Sequence, residues 1–112
     1  MTRLAPALAA LVVAVAVAAP ASASRKATLT GTVGPNFTIK MSAKSVKAGT
    51  YVVTIKDLSS FHNFHLVGPG IDKATSVQKH GTSTWKLKLR KGTYRFVCDP
   101  HSTTMKGTLK VT

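Results

Sequence analysis

Thr84-Trp85-Lys86-Leu87-Lys88-Leu89-Arg90-Lys91-Gly92-Thr93-Tyr94-Arg95-Phe96-Val97-Cys98 is the stretch that decides the fold class of this chain. Polar and apolar residues alternate strictly from Thr84 to Arg90, which is the period of a strand with one buried face. Trp85, Leu87 and Leu89 share that face, while Lys86, Lys88 and Arg90 share the other. Lys91-Gly92 is turn chemistry, and beyond it Tyr94, Phe96 and Cys98 again fall on one face. The stretch therefore reads as a hairpin whose second strand carries a thiol to the core-facing side.

The same period recurs upstream. In Leu29–Val33 and Phe37–Met41 the odd positions are apolar, Gly31 excepted, and the even ones are Thr or Lys, so the odd set, Phe37 included, is expected in the core. Gly34-Pro35-Asn36 separates the two runs, and Lys47-Ala48-Gly49-Thr50 precedes a strand with Tyr51, Val53 and Ile55 on one face. Phe61–Leu66 follows and ends at Gly68-Pro69-Gly70. Residues 71–80 are weakly patterned, fitting a short strand or a loop across one end, and Thr108–Thr112 forms the last strand. No helical period is sustained anywhere after residue 23. About seven or eight short strands at this spacing predict an all-β, two-sheet antiparallel Greek-key sandwich.

The first 23 residues read differently. Met1-Thr2-Arg3 is a basic start, Leu4 to Ala19 is an uncharged Ala/Val/Leu run, and Ala21-Ser22-Ala23 is a small-residue cleavage pattern. That is the make-up of a secretory signal peptide, cleaved after Ala23 or Ala21. The apolar run is shorter than the ~20 residues a spanning helix needs and meets Pro20, so no transmembrane anchor is expected after cleavage. The domain is then 24–112, exported to the periplasm, cell envelope or exterior. Cys98 is the only cysteine, so no disulfide staples this small chain, and a free thiol in an exported protein is either buried and inert or has a function.

Sixteen Lys and Arg stand against three acidic residues, a formal charge of +13. Such a surface favours anionic partners. Nucleic acid is excluded by export and by the scatter of lysines along strands, without a recognition helix or a stacking platform. An acidic redox protein, an anionic lipid or an anionic cell-wall polymer fits better, and the domain itself is expected to be a monomer. Lysines on exposed strands also discourage edge-to-edge aggregation, which accounts for part of the charge.

Cys98-Asp99-Pro100-His101-Ser102-Thr103-Thr104-Met105-Lys106-Gly107 concentrates the chemistry. A thiolate, an imidazole and a thioether from one tight loop form a soft ligand set suited to copper and unsuited to magnesium or calcium. Zinc would call for further Cys or His close by. Pro100 stiffens the loop and Gly107 frees the chain to enter the final strand. A second imidazole must come from His62, His65 or His80. With Phe64 and Leu66 pointing inward, alternation places His62 on their face and turns His65 away with Asn63, while His80 sits in a turn-like context. His62 is favoured.

With His62-Asn63, Gly92-Thr93-Tyr94-Arg95-Phe96-Val97-Cys98-Asp99-Pro100-His101 and Met105-Lys106-Gly107 in place, the chain resembles the cupredoxins, the small blue copper proteins of the plastocyanin, pseudoazurin and amicyanin type. The resemblance implies a β-sandwich with one mononuclear type 1 copper, equatorial ligands His62, Cys98 and His101, and a weak axial Met105. It gives Asn63 a supporting role, its backbone N–H donating to the Cys98 sulfur and its side chain tying the two ligand loops together. It makes Pro100 a residue that removes a possible donor to that sulfur. Three residues separate His101 from Met105, a loop length between those of amicyanin and plastocyanin, and Val97 stands where plastocyanin has a tyrosine.

The expected function is single-electron transfer through Cu(I)/Cu(II), with no substrate transformed and His101 as the point where the site reaches solvent. Two other functions are open to this sequence, the first through the same ligands and the second through the basic face. One is an extracytoplasmic copper carrier or scavenger; the other is a cupredoxin-like binding module with no redox role. An enzyme is not expected, because the copper oxidases and nitrite reductases of this superfamily need further domains and copper centres.

Overall fold

The computed structural model describes residues 2–3, 10–14 and 27–112. The expected signal peptide and its cleavage point lie outside the described residues, apart from 2–3 and 10–14, which are in neither helix nor strand. Among the described residues no helix is long and apolar enough to cross a membrane.

Among the described residues nine strands follow one another: β1 (Ala27–Val33), β2 (Ile39–Met41), β3 (Ser45–Val46), β4 (Gly49–Asp57), β5 (His65–Gly68), β6 (Ile71–Ala74), β7 (Gly81–Leu89), β8 (Gly92–Val97) and β9 (Lys106–Val111). A single 3-10 turn, Asp99–His101, interrupts them between β8 and β9. One sheet has the order β2-β1-β4-β7 and the other β3-β9-β8-β5-β6, giving the all-β sandwich that alternation predicts. Two pairings depart from the antiparallel expectation, since β1 runs parallel to β4 and β3 runs parallel to β9. Side-chain alternation is the same in both kinds of ladder, so the sequence pattern does not distinguish them.

The core forms where the alternating faces meet. Leu29 and Val33 from β1, Val53 and Ile55 from β4, Leu87 and Leu89 from β7, Tyr94 and Phe96 from β8, and Leu109 and Val111 from β9 are all buried. Burying each such side chain contributes about 1.5–3 kcal/mol. Phe64 and Phe96 stack across the interior with centroids 5.5 Å apart and planes at 10°. Two glycines make room for these rings. A Cβ on Gly31 would lie 2.8 Å from Phe64, and one on Gly107 would run into Phe96.

Tyr94 fixes the end of the sandwich remote from the metal centre. Its buried hydroxyl accepts from Arg90 N–H at 2.9 Å and faces the carbonyls of Arg90 and Pro69 at 2.9 and 3.2 Å. A large aromatic body is thus buried with its one polar atom satisfied. The opposite end receives the loops 34–38, 58–64, 75–80 and 98–105, because Val33, Asp57 and Gly81 lie in one register row and Val97 lies opposite His65 and Lys106.

Three details differ from the alternation pattern. β2 begins at Ile39, and Phe37 is 61% exposed in the preceding turn, where Asn36 has φ 63°. The Gly34-Pro35-Asn36 turn therefore extends through Phe37 and Thr38, and periodicity does not apply there. Residues 61–64 are not a strand, and Asn63, expected to face outward, is only 2% exposed because its side chain turns inward to hydrogen-bond Asp99 and Thr75 in other loops. Ile71–Ala74 resolves the weakly patterned segment as an edge strand paired to β5.

Candidate metal centre

β8 ends at Val97 and hands Cys98 to the interior, fully buried and still in extended conformation (φ −93°, ψ 118°). The chain then folds back at once. Pro100 sits at the start of the 3-10 turn, where a fixed φ is favourable and a missing N–H costs nothing. His101 N–H donates to the Cys98 carbonyl at 3.0 Å, Met105 N–H to the His101 carbonyl at 2.8 Å, and Cys98 N–H to the Met105 carbonyl at 3.0 Å. These three backbone bonds hold Cys98, His101 and Met105 in a closed loop. The Met105 side chain is 1% exposed and belongs to the core.

His62 arrives from the β4–β5 loop and is fully buried. Its Nε2 lies 2.8 Å from the carbonyl oxygen of Asn36. A carbonyl can only accept, so Nε2 carries the proton and the Nδ1 lone pair of a neutral ring is left free. That lone pair points at Cys98 Sγ, 3.6 Å away, and at His101 Nδ1, 3.2 Å away. His101 Nδ1 is also 3.6 Å from Cys98 Sγ. A point equidistant from these three atoms lies about 2.0 Å from each, the length of a metal–imidazole bond and about 0.3 Å short of a metal–thiolate one, so an ion held by all three sits nearer the nitrogens.

The donor set therefore fits a single type 1 copper: two imidazole nitrogens and one sulfur, converging from two loops, with a buried methionine beside them. Among the described residues this is the one group of three or more His, Cys, Asp or Glu that could hold a metal ion. His101 is the least buried of the three. His65 and His80 lie elsewhere: His65 is held between Asp72 and Asp99, and His80 is exposed.

Asn63 links the two loops. Its Oδ1 accepts from Asp99 N–H at 2.8 Å, and its Nδ2 donates to Asp99 Oδ2 at 2.8 Å and to the Thr75 carbonyl at 3.2 Å. A bond from Asn63 N–H to the Cys98 sulfur is not among the hydrogen bonds of the described residues, whose sulfur contacts are the two imidazoles. Burial opposes ionisation of Asp99, but the bonds from Asn63 and His65 outweigh it and hold its carboxyl below the ordinary value. Asp57 is buried beneath the same end. Burial pushes its carboxyl up, against the Ser59 N–H and the nearby imidazoles of His62 and His80, and its Oδ2 has no partner.

An apolar collar surrounds the cluster that alternation did not reveal. The Phe37 ring packs edge-on against His101 at 5.0 Å and His62 at 5.4 Å, and Phe61 lies 4.4 Å from His62. Phe37 and Phe61 are nonetheless 61% and 55% exposed. The available signal was the proximity of Phe37 to Gly34-Pro35-Asn36, which marks it as a loop residue.

Comparison with known proteins agrees with this geometry. A model of the cupredoxin-like domain matches residues 7–111. No curated protein matches the chain in sequence. Among solved structures, reduced rusticyanin superposes with a TM-score of 0.60 at 22% identity, over 76% of this chain and 78% of that one. Reduced auracyanin from Roseiflexus castenholzii gives 0.56 at 21% identity, over 78% and 98%. An oxidized amicyanin mutant gives 0.51 at 18% identity, over 77% and 81%. At these identities the three structures carry the fold; the family match spans nearly the whole chain, and the chain belongs to the cupredoxin-like domain family.

Proposed function

We propose that this chain is an exported type 1 copper protein that carries single electrons between redox partners, with His62, Cys98 and His101 as equatorial ligands and Met105 as a weak axial one. The observation that carries this reading is the triangle of His62 Nδ1, His101 Nδ1 and Cys98 Sγ, with sides of 3.2, 3.6 and 3.6 Å. Copper, when bound, supplies the one-electron couple. The chain supplies a site that is already shaped. His62 is fixed in the right tautomer by Asn36, Cys98 is held by the backbone ring through Met105, and Asn63 pins the ligand loop to the β4–β5 loop. Groups held this firmly rearrange little between oxidation states, which favours fast transfer.

Burial argues for a shuttle over a carrier. His62 and Cys98 are fully buried and Met105 is 1% exposed, whereas handing an ion to an acceptor requires ligands that can be reached. His101 is the least buried of the three equatorial ligands, and the exposed rings of Phe37 and Phe61, packed against the two imidazoles, form the apolar patch a transient partner would meet. Family membership implies an electron carrier and no enzymatic turnover. The signal-peptide pattern of residues 1–23 supports export of the domain from the cytoplasm.

The test is a visible absorption spectrum of the chain beginning at Ser24, loaded with Cu(II). Intense blue colour that bleaches reversibly on reduction supports the shuttle. A colourless Cu(II) complex overturns the type 1 assignment, and quantitative transfer of Cu(I) to an apo-acceptor would move the reading to a carrier.

A further inference from the structure

We propose that the groove where the two sheets part, between β2 and β9, is a binding site for a small amphipathic anion: an apolar chain or ring ending in a carboxylate or phosphate. The site includes none of the proposed metal ligands and needs no metal.

The groove exists for a local reason. β2 is only three residues long and lies at the edge of its sheet, facing β9 without hydrogen-bonding to it. The β9 position that faces it, Gly107, has no side chain to fill the gap, and any Cβ there would run into the Phe96 ring. A hollow of about 450 Å³ remains, within the range of small-molecule sites. Its floor is apolar, made by Met41, Ala43 and Phe96, and Phe96 is held in place by its stack on Phe64.

The rim has the opposite chemistry. Lys40, Lys44 and Lys106 line the same hollow, and all three are exposed. The chain has three side-chain carboxylates to balance them. Asp57 is buried at the metal end, and Asp72 and Asp99 are both engaged with His65. Among the described residues no lysine or arginine joins an ion pair. An apolar floor beneath three uncompensated ammonium groups matches a ligand with an apolar body and an anionic head, and matches neither a cation nor a neutral sugar.

The test is a nitrogen-15 amide titration of the full chain with decanoate and with decyl phosphate, both below their micelle concentrations, against decyltrimethylammonium. Shifts at Met41, Ala43, Phe96 and Gly107 with either anion, and not with the cation, support the site. The better of the two anions identifies the head group. Changing Lys40, Lys44 and Lys106 together to Gln should weaken binding roughly tenfold, as expected for the loss of three exposed ion pairs. Changing Lys86 and Lys88 to Gln should leave it unaltered. Binding of neither anion, equal binding of the cation, or shifts spread equally over β7 would overturn the proposal.

Discussion

Asp99 Oδ1 lies 2.8 Å from His65 Nδ1, and the opposite ring nitrogen, Nε2, lies 2.5 Å from Asp72 Oδ1. A neutral imidazole has one N–H, so both contacts are hydrogen bonds only when His65 is protonated. The bond to Asp99, then the bond to Asp72, raise its pKa above the ordinary 6.5, against a smaller opposing effect of burial. The imidazolium clamps the β5–β6 hairpin to the loop that carries Cys98 and His101.

The clamp makes stability depend on pH. A folded-state pKa raised above the unfolded value gives stability that is complete below about pH 6.5 and is lost as pH rises through the folded value. The lowered Asp99 carboxyl works in the other direction, giving stability above its ordinary 3.8 that is lost as pH falls. The clamp is therefore strongest between these limits. Both carboxylates are substantially exposed, so its contribution is held within about 1 kcal/mol. Urea denaturation of the wild type and His65→Gln from pH 5 to 9 should show a difference that closes at alkaline pH. A constant difference would show that His65 acts by packing alone.

Asn63→Ala tests the link between the two loops. The substitution leaves the Asp99 N–H without its acceptor and removes two further bonds from a side chain that is 2% exposed. A cost of about 2–3 kcal/mol is expected, from three partly buried hydrogen bonds at about 1 kcal/mol each. Thermal unfolding measures the cost, and copper release to a chelator should quicken with it. An unchanged release rate would mean that the backbone ring at Cys98, His101 and Met105 holds the ligands unaided.

Cys98, His101 and Met105 were legible because one short loop contains them, and local spacing is visible in a sequence. His62 was legible for a less secure reason. Alternation assigned it to the face of Phe64 and Leu66, and all three are buried, but the segment is a loop in which Asn63 is buried as well. The parallel pairings of β1 with β4 and β3 with β9 left no trace, because alternation encodes faces and not strand direction. The collar was hidden by the same rule, which placed Phe37 in the core, and the His65 clamp arises from residues brought together only by folding.

Met105→Leu tests the proposal that Met105 is a weak axial ligand. The exchange nearly conserves volume in a buried position, so stability should fall by less than about 1.5 kcal/mol. Copper should stay bound and the reduction potential should rise, which cyclic voltammetry measures. Release of the metal would make Met105 a principal ligand. Alongside it, Cys98→Ser should abolish the blue colour, while His65→Ala and His80→Ala should leave it nearly intact. Loss of colour in His65→Ala with retention in His62→Ala would overturn the ligand assignment.

The position of the charge decides where an acidic partner docks. Lys86 and Lys88 share the outer face of β7, as alternation predicts, and Arg90 follows its last residue, but β7 is an edge strand and these residues lie at its far end. The metal end is marked by the pairing of Gly81 with Asp57, and Leu89 pairs with Gly49 at the other end. At about 3.4 Å per residue, Lys86 to Arg90 stand roughly 17–30 Å along the strand from Gly81. A partner seated there would be too distant for efficient transfer. Lys56 and Lys106 flank the metal end directly, next to Asp57 and Met105, and Lys79 lies two residues before Gly81. Changing Lys56, Lys79 and Lys106 to Gln should therefore lower the second-order rate with an acidic cytochrome, and the slope of that rate against ionic strength, more than changing Lys86, Lys88 and Arg90. Screening should compress the difference as the Debye length shortens from about 10 Å at 0.1 M salt to about 3 Å at 1 M. Stopped-flow rates across a salt series measure both effects. If the β7 variant shows the larger loss, docking is guided from the edge strand. If neither variant changes the slope, the lysines serve solubility and edge protection, and the collar alone selects the partner.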